Sequence, residues 1–393
     1  MSGSVKREKL TAGIIAAVLA AVAIAAAAGA AQARQAGNVI RHPRPTDPLA
    51  GRLEWALGEA KGDAFKGGFW AGFSIRRLMG EHSYIGSIHG SGRGTGFTLE
   101  ELIYGKRTPT EKFISGDRAL REAAERALEE AEGRPRTEAK VTKEIAVLVR
   151  FPAAGGREPA HVDISNMTLS GNLRGLPLFW LGPAADTESV ALLKGYYEKA
   201  GSEKAKESLL WAVSVHQNPD LVIPFLDKIL NSREPEEIRK DAAIFLGEQD
   251  DPRALDLLKK ALASDPSSEV RENAVWGLNE MTLPAAEDLL IETALKAKDG
   301  DVREHAVQAL AEKASRKAVA ALEKIAFDDR ETEIQKQAVY AFSDLPGKEG
   351  LPYLIKIAKT HHNPEVRKAA IYALGDSKDP EAVKALIDIV KGK

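Results

Sequence analysis

The sequence predicts a mainly α protein: a right-handed α-solenoid of about seven helix-pair repeats over residues 172–393, preceded by a small α+β module at 48–171. Three observations predict it. Apolar residues recur with a period of 32 or 33 residues through the second half of the chain. Within each period they fall into two stripes of helical spacing. Upstream of the repeats the texture changes to short aromatic and β-branched runs.

The period is read from the anchors Leu173, Ala205, Ile238, Val270, Val302, Ile334 and Val366. Four residues after each come Pro177, Leu209, Ala242, Ala274, Ala306, Ala338 and Ala370, and eight after come Leu181, Val213, Leu246, Leu278, Leu310, Phe342 and Leu374. Offsets of 0, 4 and 8 share one face of a helix. Offsets 17, 20, 21 and 24 make a second stripe, which in the last unit is Val383, Leu386, Ile387 and Val390. Gly375-Asp376 and Asp379-Pro380 separate the two as a helix stop and an N-cap carboxylate with proline at the first helical position. Asp251-Pro252 and Asn218-Pro219 repeat that start signal. Neither helix buries its stripe alone, so successive pairs must stack.

The pattern Val-Arg-x-x-Ala-(Ile/Val)-x-x-Leu-Gly followed by Asp-Pro resembles the HEAT-like repeat, in the short variety also found in phycobilin lyases. It fits best at Glu365–Val390, Asp301–Ala326 and Glu236–Leu262. Pro177 and Ala205 depart from it in the first two units, and Glu287 stands where an aliphatic residue is expected. The resemblance implies a protein-binding scaffold and no chemistry.

In chain order, residues 1–33 read as a signal peptide or N-terminal anchor. Lys6, Arg7 and Lys9 precede an uncharged alanine-rich run, and Ala31-Gln32-Ala33 offers a small-x-small cleavage site. The uncharged run Leu10–Ala33 is also long enough to span a bilayer. Either way the body is expected outside the cytoplasm, periplasmic or secreted, with membrane contact only through this segment. The chain has no cysteine, which excludes disulfides and thiol chemistry. Residues 34–47 carry Pro43 and Pro45 without an apolar period and read as a linker.

The module at 48–171 opens with a helix over Pro48–Lys66, whose buried side is Leu49, Leu53, Trp55 and Leu57. Gly68–Ile75, His82–Ile88 and Glu144–Phe151 read as strands, with Ala160–Ile164 as a partner, giving about four in all. Ser115–Glu132 reads as an amphipathic helix. So small a sheet needs cover, for which the first repeat is the nearest surface.

Function classes narrow by exclusion. Residues 173–393 carry a net charge of −7, which supplies no basic stripe for a phosphate backbone, so no nucleic-acid partner is expected. The loop Gly90–Gly96 lacks the endings of a P-loop or a dinucleotide fingerprint. The eight histidines show no ligand spacing, and His361 and His362 are assigned to a solvated turn. No catalytic residue, cofactor or metal site is assigned.

Two columns remain. Offset 1 is basic in six of seven units (Arg174, Lys206, Arg239, Arg271, Arg303 and Arg367, with Gln335 between) and reads as a ladder onto turn carboxylates or carbonyls, with Asp186, Asn218, Asp251 and Asp379 recurring at offset 13. Offset 6 holds Phe179, Trp211, Ile244, Trp276, Gln308, Tyr340 and Tyr372, facing away from the buried stripe. Packing between first helices is one reading of this column. The other makes Trp211, Trp276, Tyr340 and Tyr372 partner-binding residues. The polar inner face, with Asp227, Lys228, Lys259, Lys260, Glu292, Lys324, Lys356 and Asp388, is mixed in sign. The expected function is an exported scaffold binding a protein or peptide partner. The alternative is an enzyme with its site in the module, around Ser87, His89 and Ser91.

Overall fold

The computed structural model describes residues 39–80, 99–104, 140–152, 156–166, 176–377 and 379–391. The expected targeting segment 1–33, strand His82–Ile88, loop Gly90–Gly96 and helix Ser115–Glu132 lie outside them, as do Ser87, His89 and Ser91. The chain divides into two compact units, Met1–Ala212 and Val213–Lys393.

The first unit is built on a five-stranded sheet of order β1-β5-β2-β3-β4. β2 (Phe69–Gly80) and β3 (Lys140–Phe151) pair antiparallel along their whole length, from Phe69 opposite Phe151 to Gly80 opposite Lys140. Ile145–Val149 are all buried, so this central strand is a continuous apolar run rather than an alternating one. β4 (His161–Asn166) adds antiparallel to β3, as expected of its sequence. β5 (Leu178–Pro183) lies between β2 and β1 (Val39–Arg41) and runs parallel to both.

Two expectations are corrected here. The segment with Leu173, Pro177 and Leu181 was expected to open the first repeat as a helix, but Leu178–Pro183 is a strand buried from Leu178 to Gly182. Pro177 cannot donate a helical hydrogen bond, and the unbroken run Leu178–Leu181 suits a strand covered on both faces. The stretch 34–47 was expected to be linker throughout, yet Val39–Arg41 pairs with β5.

Both faces of the sheet are covered. On one, Trp70, Ala146, Leu148, Leu178 and Trp180 pack with Leu99 and Ile103 of α2 (Leu99–Tyr104). On the other, Phe65, Phe69, Phe151 and Phe179 form a ring cluster with 5.0–6.1 Å between centroids, and Trp55 of α1 (Leu49–Glu59) meets Phe179 edge-on at 5.6 Å. Leu49, Leu53 and Leu57 are buried as expected, while Trp55 is half-buried. Arg52 is 2% exposed and donates to the carbonyls of Leu181 at 2.5 Å and Pro183 at 2.8 Å. Burial holds its guanidinium below the ordinary arginine value, opposed by Glu188 of α3 (Asp186–Tyr197) at 3.8 Å. Tyr196 of α3 meets Phe151 edge-on at 6.1 Å, and burial raises its hydroxyl to about 12.

From Ala205 onward the period maps onto successive helices: α4 (Glu203–Ser214), then, in the second unit, α5 (Pro219–Leu230), α6 (Glu236–Glu248) paired with α7 (Pro252–Ser264), and α8 (Ser268–Glu280) with α9 (Pro284–Lys296). Then come α10 (Gly300–Lys313) with α11 (Arg316–Asp328), α12 (Thr332–Asp344) with α13 (Leu351–Thr360), and α14 (Pro364–Asp376) with α15 (Pro380–Val390). Among the described residues β5 stands where the first helix of the first expected pair would be, while α3, with Leu193 buried, stands where its second was expected, so the array opens one helix later than the period suggests. Among those residues no helix is long and apolar enough to cross a membrane.

Within the second unit the anchors Ile238, Val270, Val302, Ile334 and Val366 are at most 4% exposed, and the alanines four residues on are fully buried. Full burial of each leucine at offset 8 contributes about 1.5–3 kcal/mol. Asp251, Asp379 and Asn363 cap their helices by accepting from the backbone N–H two residues on, and Ser267 and Ser315 accept from the third. Asn218 makes no such bond. Glu287, out of place as an aliphatic, instead accepts a hydrogen bond from the Ser315 hydroxyl. α6 and α8 touch backbone to backbone: a Cβ on Gly277 would lie 2.6 Å from the Ala243 oxygen, and one on Gly247 would collide with the Gly277 carbonyl.

The basic column forms the expected ladder. Arg239 reaches Asp265 at 2.5 Å; Arg271 pairs with Asp299 and donates to the Asp265 carbonyl at 2.6 Å; Arg303 pairs with Asp329. Gln335 donates to the Asp329 carbonyl at 2.9 Å and Arg367 to the His361 carbonyl at 2.6 Å. The last two, like Arg271, clamp the loop before their own helix, while Arg239, Arg271 and Arg303 reach a carboxylate before the next first helix. Those carboxylates are not the offset-13 aspartates, which stand a whole helix length, about 18 Å, from offset 1.

Candidate functional site

Of the four aromatic residues singled out, the structure brings two together. Tyr340 on α12 and Tyr372 on α14 are 41% and 59% exposed, and both line one groove of about 740 Å³. First helices stack side by side, so one offset on successive helices repeats at neighbouring positions. Phe342, stacked on Tyr353 at 4.8 Å, belongs to the same lining. The loop between α12 and α13 is pressed against α12, since a Cβ on Gly350 would collide with the Phe342 carbonyl. Lys348 in that loop reaches Asp379 at 2.7 Å; this contact, with the Glu381 backbone N–H, lowers the Asp379 carboxyl below its ordinary value. Lys368 holds its ammonium 5.9 Å from the Tyr372 ring centroid.

Trp276 on α8 is half-buried and meets His305 of α10 edge-on at 5.9 Å, the geometry of packing between neighbouring first helices. Trp211 on α4 is half-buried. Phe179, counted in the same column, is a core residue of β5. Several of the polar inner residues named from sequence bear on neighbours of opposite or neutral character: Lys356 donates to Glu323 at 2.6 Å and Lys260 to Asn231 at 3.1 Å.

Sequence reasoning missed the acidic residues beside the aromatic column. Offset 10 is Glu248, Glu280, Glu312, Asp344 and Asp376, all exposed, and one helical turn separates each from offset 6. Asp344 and Asp376 line the groove with the tyrosines. The recurrence of a carboxylate at this offset in five units was the available signal.

His361 is likewise corrected. Instead of lying in a solvated turn it is 1% exposed, its Nε2–H donates to the Ala326 carbonyl at 2.9 Å, and its Nδ1 accepts from the Asn363 N–H at 3.1 Å. Burial lowers its pKa, a shift that His362 and Arg367 reinforce. Its position matches Asp265 and Asp329 in earlier units, so it is a structural element of the ladder. Three exposed carboxylates, Glu236, Glu237 and Glu269, converge on α6 and α8, where Lys240 sits between Glu237 at 3.0 Å and Glu269 at 2.7 Å as their counter-ion.

No curated protein matches the chain by sequence. Among solved structures, it is similar to the complex of CpcE and CpcF of phycocyanin lyase from a Nostoc species, at 22% identity and a TM-score of 0.29, over 38% of this chain and 96% of that one. It is also similar to human deoxyhypusine hydroxylase in complex with glycerol, at 22% identity and a TM-score of 0.23, over 50% of this chain and 76% of that one. A family model for HEAT repeats matches residues 189–279, 223–311, 287–360 and 319–393, together more than half of the chain. With the repeated helix pairs and their shared core already in view, the chain belongs to the HEAT-repeat family.

Proposed function

We propose that the chain is an exported scaffold that binds a protein or peptide partner through its helix-pair array, with Tyr340 and Tyr372 as the aromatic contacts. The observation that carries this is two exposed tyrosine rings on adjacent helices lining one open groove. Aromatic side chains supply much of the energy of protein interfaces. Asp344 and Asp376 one turn further favour a basic segment, whose Lys or Arg side chains can lie over the rings while their charges meet the carboxylates. Export rests on the basic head, apolar run and small-x-small site of residues 1–33, and would put the scaffold in the periplasm or outside the cell.

Crosslinking capture from the envelope fraction tests the reading, with wild type and Y340A/Y372A compared side by side. One partner is expected with wild type, lost in the double variant and weakened by salt, while the unfolding midpoint stays unchanged. Equal capture by both proteins would refute the assigned contacts, and no capture by either would refute the scaffold.

A further inference from the structure

α15 presents Val383, Ile387 and Val390 on one side, 50%, 46% and 87% exposed. Spacings of four and three residues make them one stripe. The same offsets in the preceding repeat are Leu351, Ile355 and Ala358, of which Leu351 and Ala358 are 7% and 4% exposed in a helix packed against α14 and α15. The α15 stripe is thus a surface of the kind that this array covers with further helices.

The charges beside the stripe say what fits there. They are Glu381, Lys384, Asp388 and Lys391, and on a helical wheel all four fall on one flank. Counted from Leu386, Glu381 and Lys391 stand five residues to either side, and Lys384 and Asp388 two, each pair of opposite sign. Turning a second copy end for end about Leu386 therefore sets Glu381 against Lys391 and Lys384 against Asp388, each contact made twice. It also lays one apolar stripe along the other. A surface complementary to itself under a two-fold rotation is what an isologous dimer requires.

We propose that the chain self-associates through α15, two copies pairing their Val383–Ile387–Val390 stripes antiparallel about a two-fold axis near Leu386. One helix face is smaller than the about 800 Å² per partner of a standard interface, so the association is weak and concentration-dependent.

Because the chain has no cysteine, single thiols report the geometry cleanly. In an antiparallel pair centred on Leu386 the two 387 positions are offset along the axis by about 3 Å, and the two 383 positions by about 9 Å. Mild oxidation of the full chain is expected to give a covalent dimer with I387C and little with V383C. K384D sets like charges together at two contacts and should lower the I387C crosslink about fivefold. The double reversal K384D/D388K restores opposite signs and should restore the crosslink, with circular dichroism unchanged throughout. An I387C chain that stays monomeric at high concentration overturns the proposal and leaves the face to a different protein. Equal crosslinking by V383C, or no recovery in the double reversal, overturns the antiparallel two-fold.

Discussion

Arg303 of α10 and Asp329 at the end of α11 form an ion pair in which the side chains are 7% and 8% exposed. The same guanidinium donates to the Ala294 carbonyl at 3.1 Å and to Glu331 at 2.9 Å, so one side chain joins three consecutive repeats. D329A removes the buried carboxylate and leaves the Arg303 guanidinium only the exposed Glu331 and the Ala294 carbonyl. It is expected to cost about 1–3 kcal/mol, measured by urea unfolding. D220N, which breaks the exposed contact of Asp220 with Arg253 at 2.7 Å, should leave the midpoint unchanged.

Helix glycines give opposite outcomes in different places. At Gly195 in α3 an added Cβ would meet nothing within 4 Å, so G195A should stabilise by up to about 1 kcal/mol through helix propensity. Gly247 faces the Gly277 backbone, so G247A must separate α6 from α8 and should cost about 1–3 kcal/mol. Thermal melts of the two variants side by side decide this.

His361 makes stability pH-dependent near neutrality. Its folded pKa lies below the ordinary 6.5, so the unfolded chain binds the proton more readily. Its contribution is complete above pH 6.5 and declines on acidification. The groups facing it are the stacked His362 ring at 4.5 Å and Arg367, neither of which welcomes a second cation. The stability advantage of wild type over H361Q should narrow between pH 7.5 and 5.5, within about a unit either side of the ordinary value. Parallel curves would show that His361 binds its proton equally well in the folded and the unfolded chain, which would overturn the shift.

Asp299 acts in a lower window. The Ser268 hydroxyl, then the Arg271 guanidinium, hold its carboxyl at about 2, below the ordinary 3.8. The stability it contributes is present above 3.8 and lost as pH falls toward 2. D299N should therefore flatten the acid-unfolding curve in that interval, and S268A should move the loss to higher pH.

The repeats from Ile238 onward were legible because each anchor, alanine and leucine answers one demand, burial between stacked helices. The period misled at Leu173, where a spacing of four residues twice over coincided with the stripe while the run Leu178–Leu181 belonged to a strand. β1 was hidden because three residues offer no periodicity, and only its partner 139 positions away defines it. The ladder was legible in its cations and not in its anions, which vary in offset from Asp265 and Asp329 to Asp299. Of the aromatic column, sequence alone could not separate Trp276, held edge-on by His305, from Tyr340 and Tyr372, because all share one offset and differ only in what stands beside them.

The parallel insertion of β5 between β1 and β2 bears on the order of events during synthesis. β1, β2, β3 and β4 leave the ribosome before Leu178 does, and until then β1 lacks the only neighbour it has among the described strands. β2 meanwhile presents an apolar edge, an invitation to pair with another nascent chain. A chain severed at residue 171 would keep that edge permanently, with Phe69 and Trp70 deprived of Phe179 and Leu178. Such a fragment should aggregate.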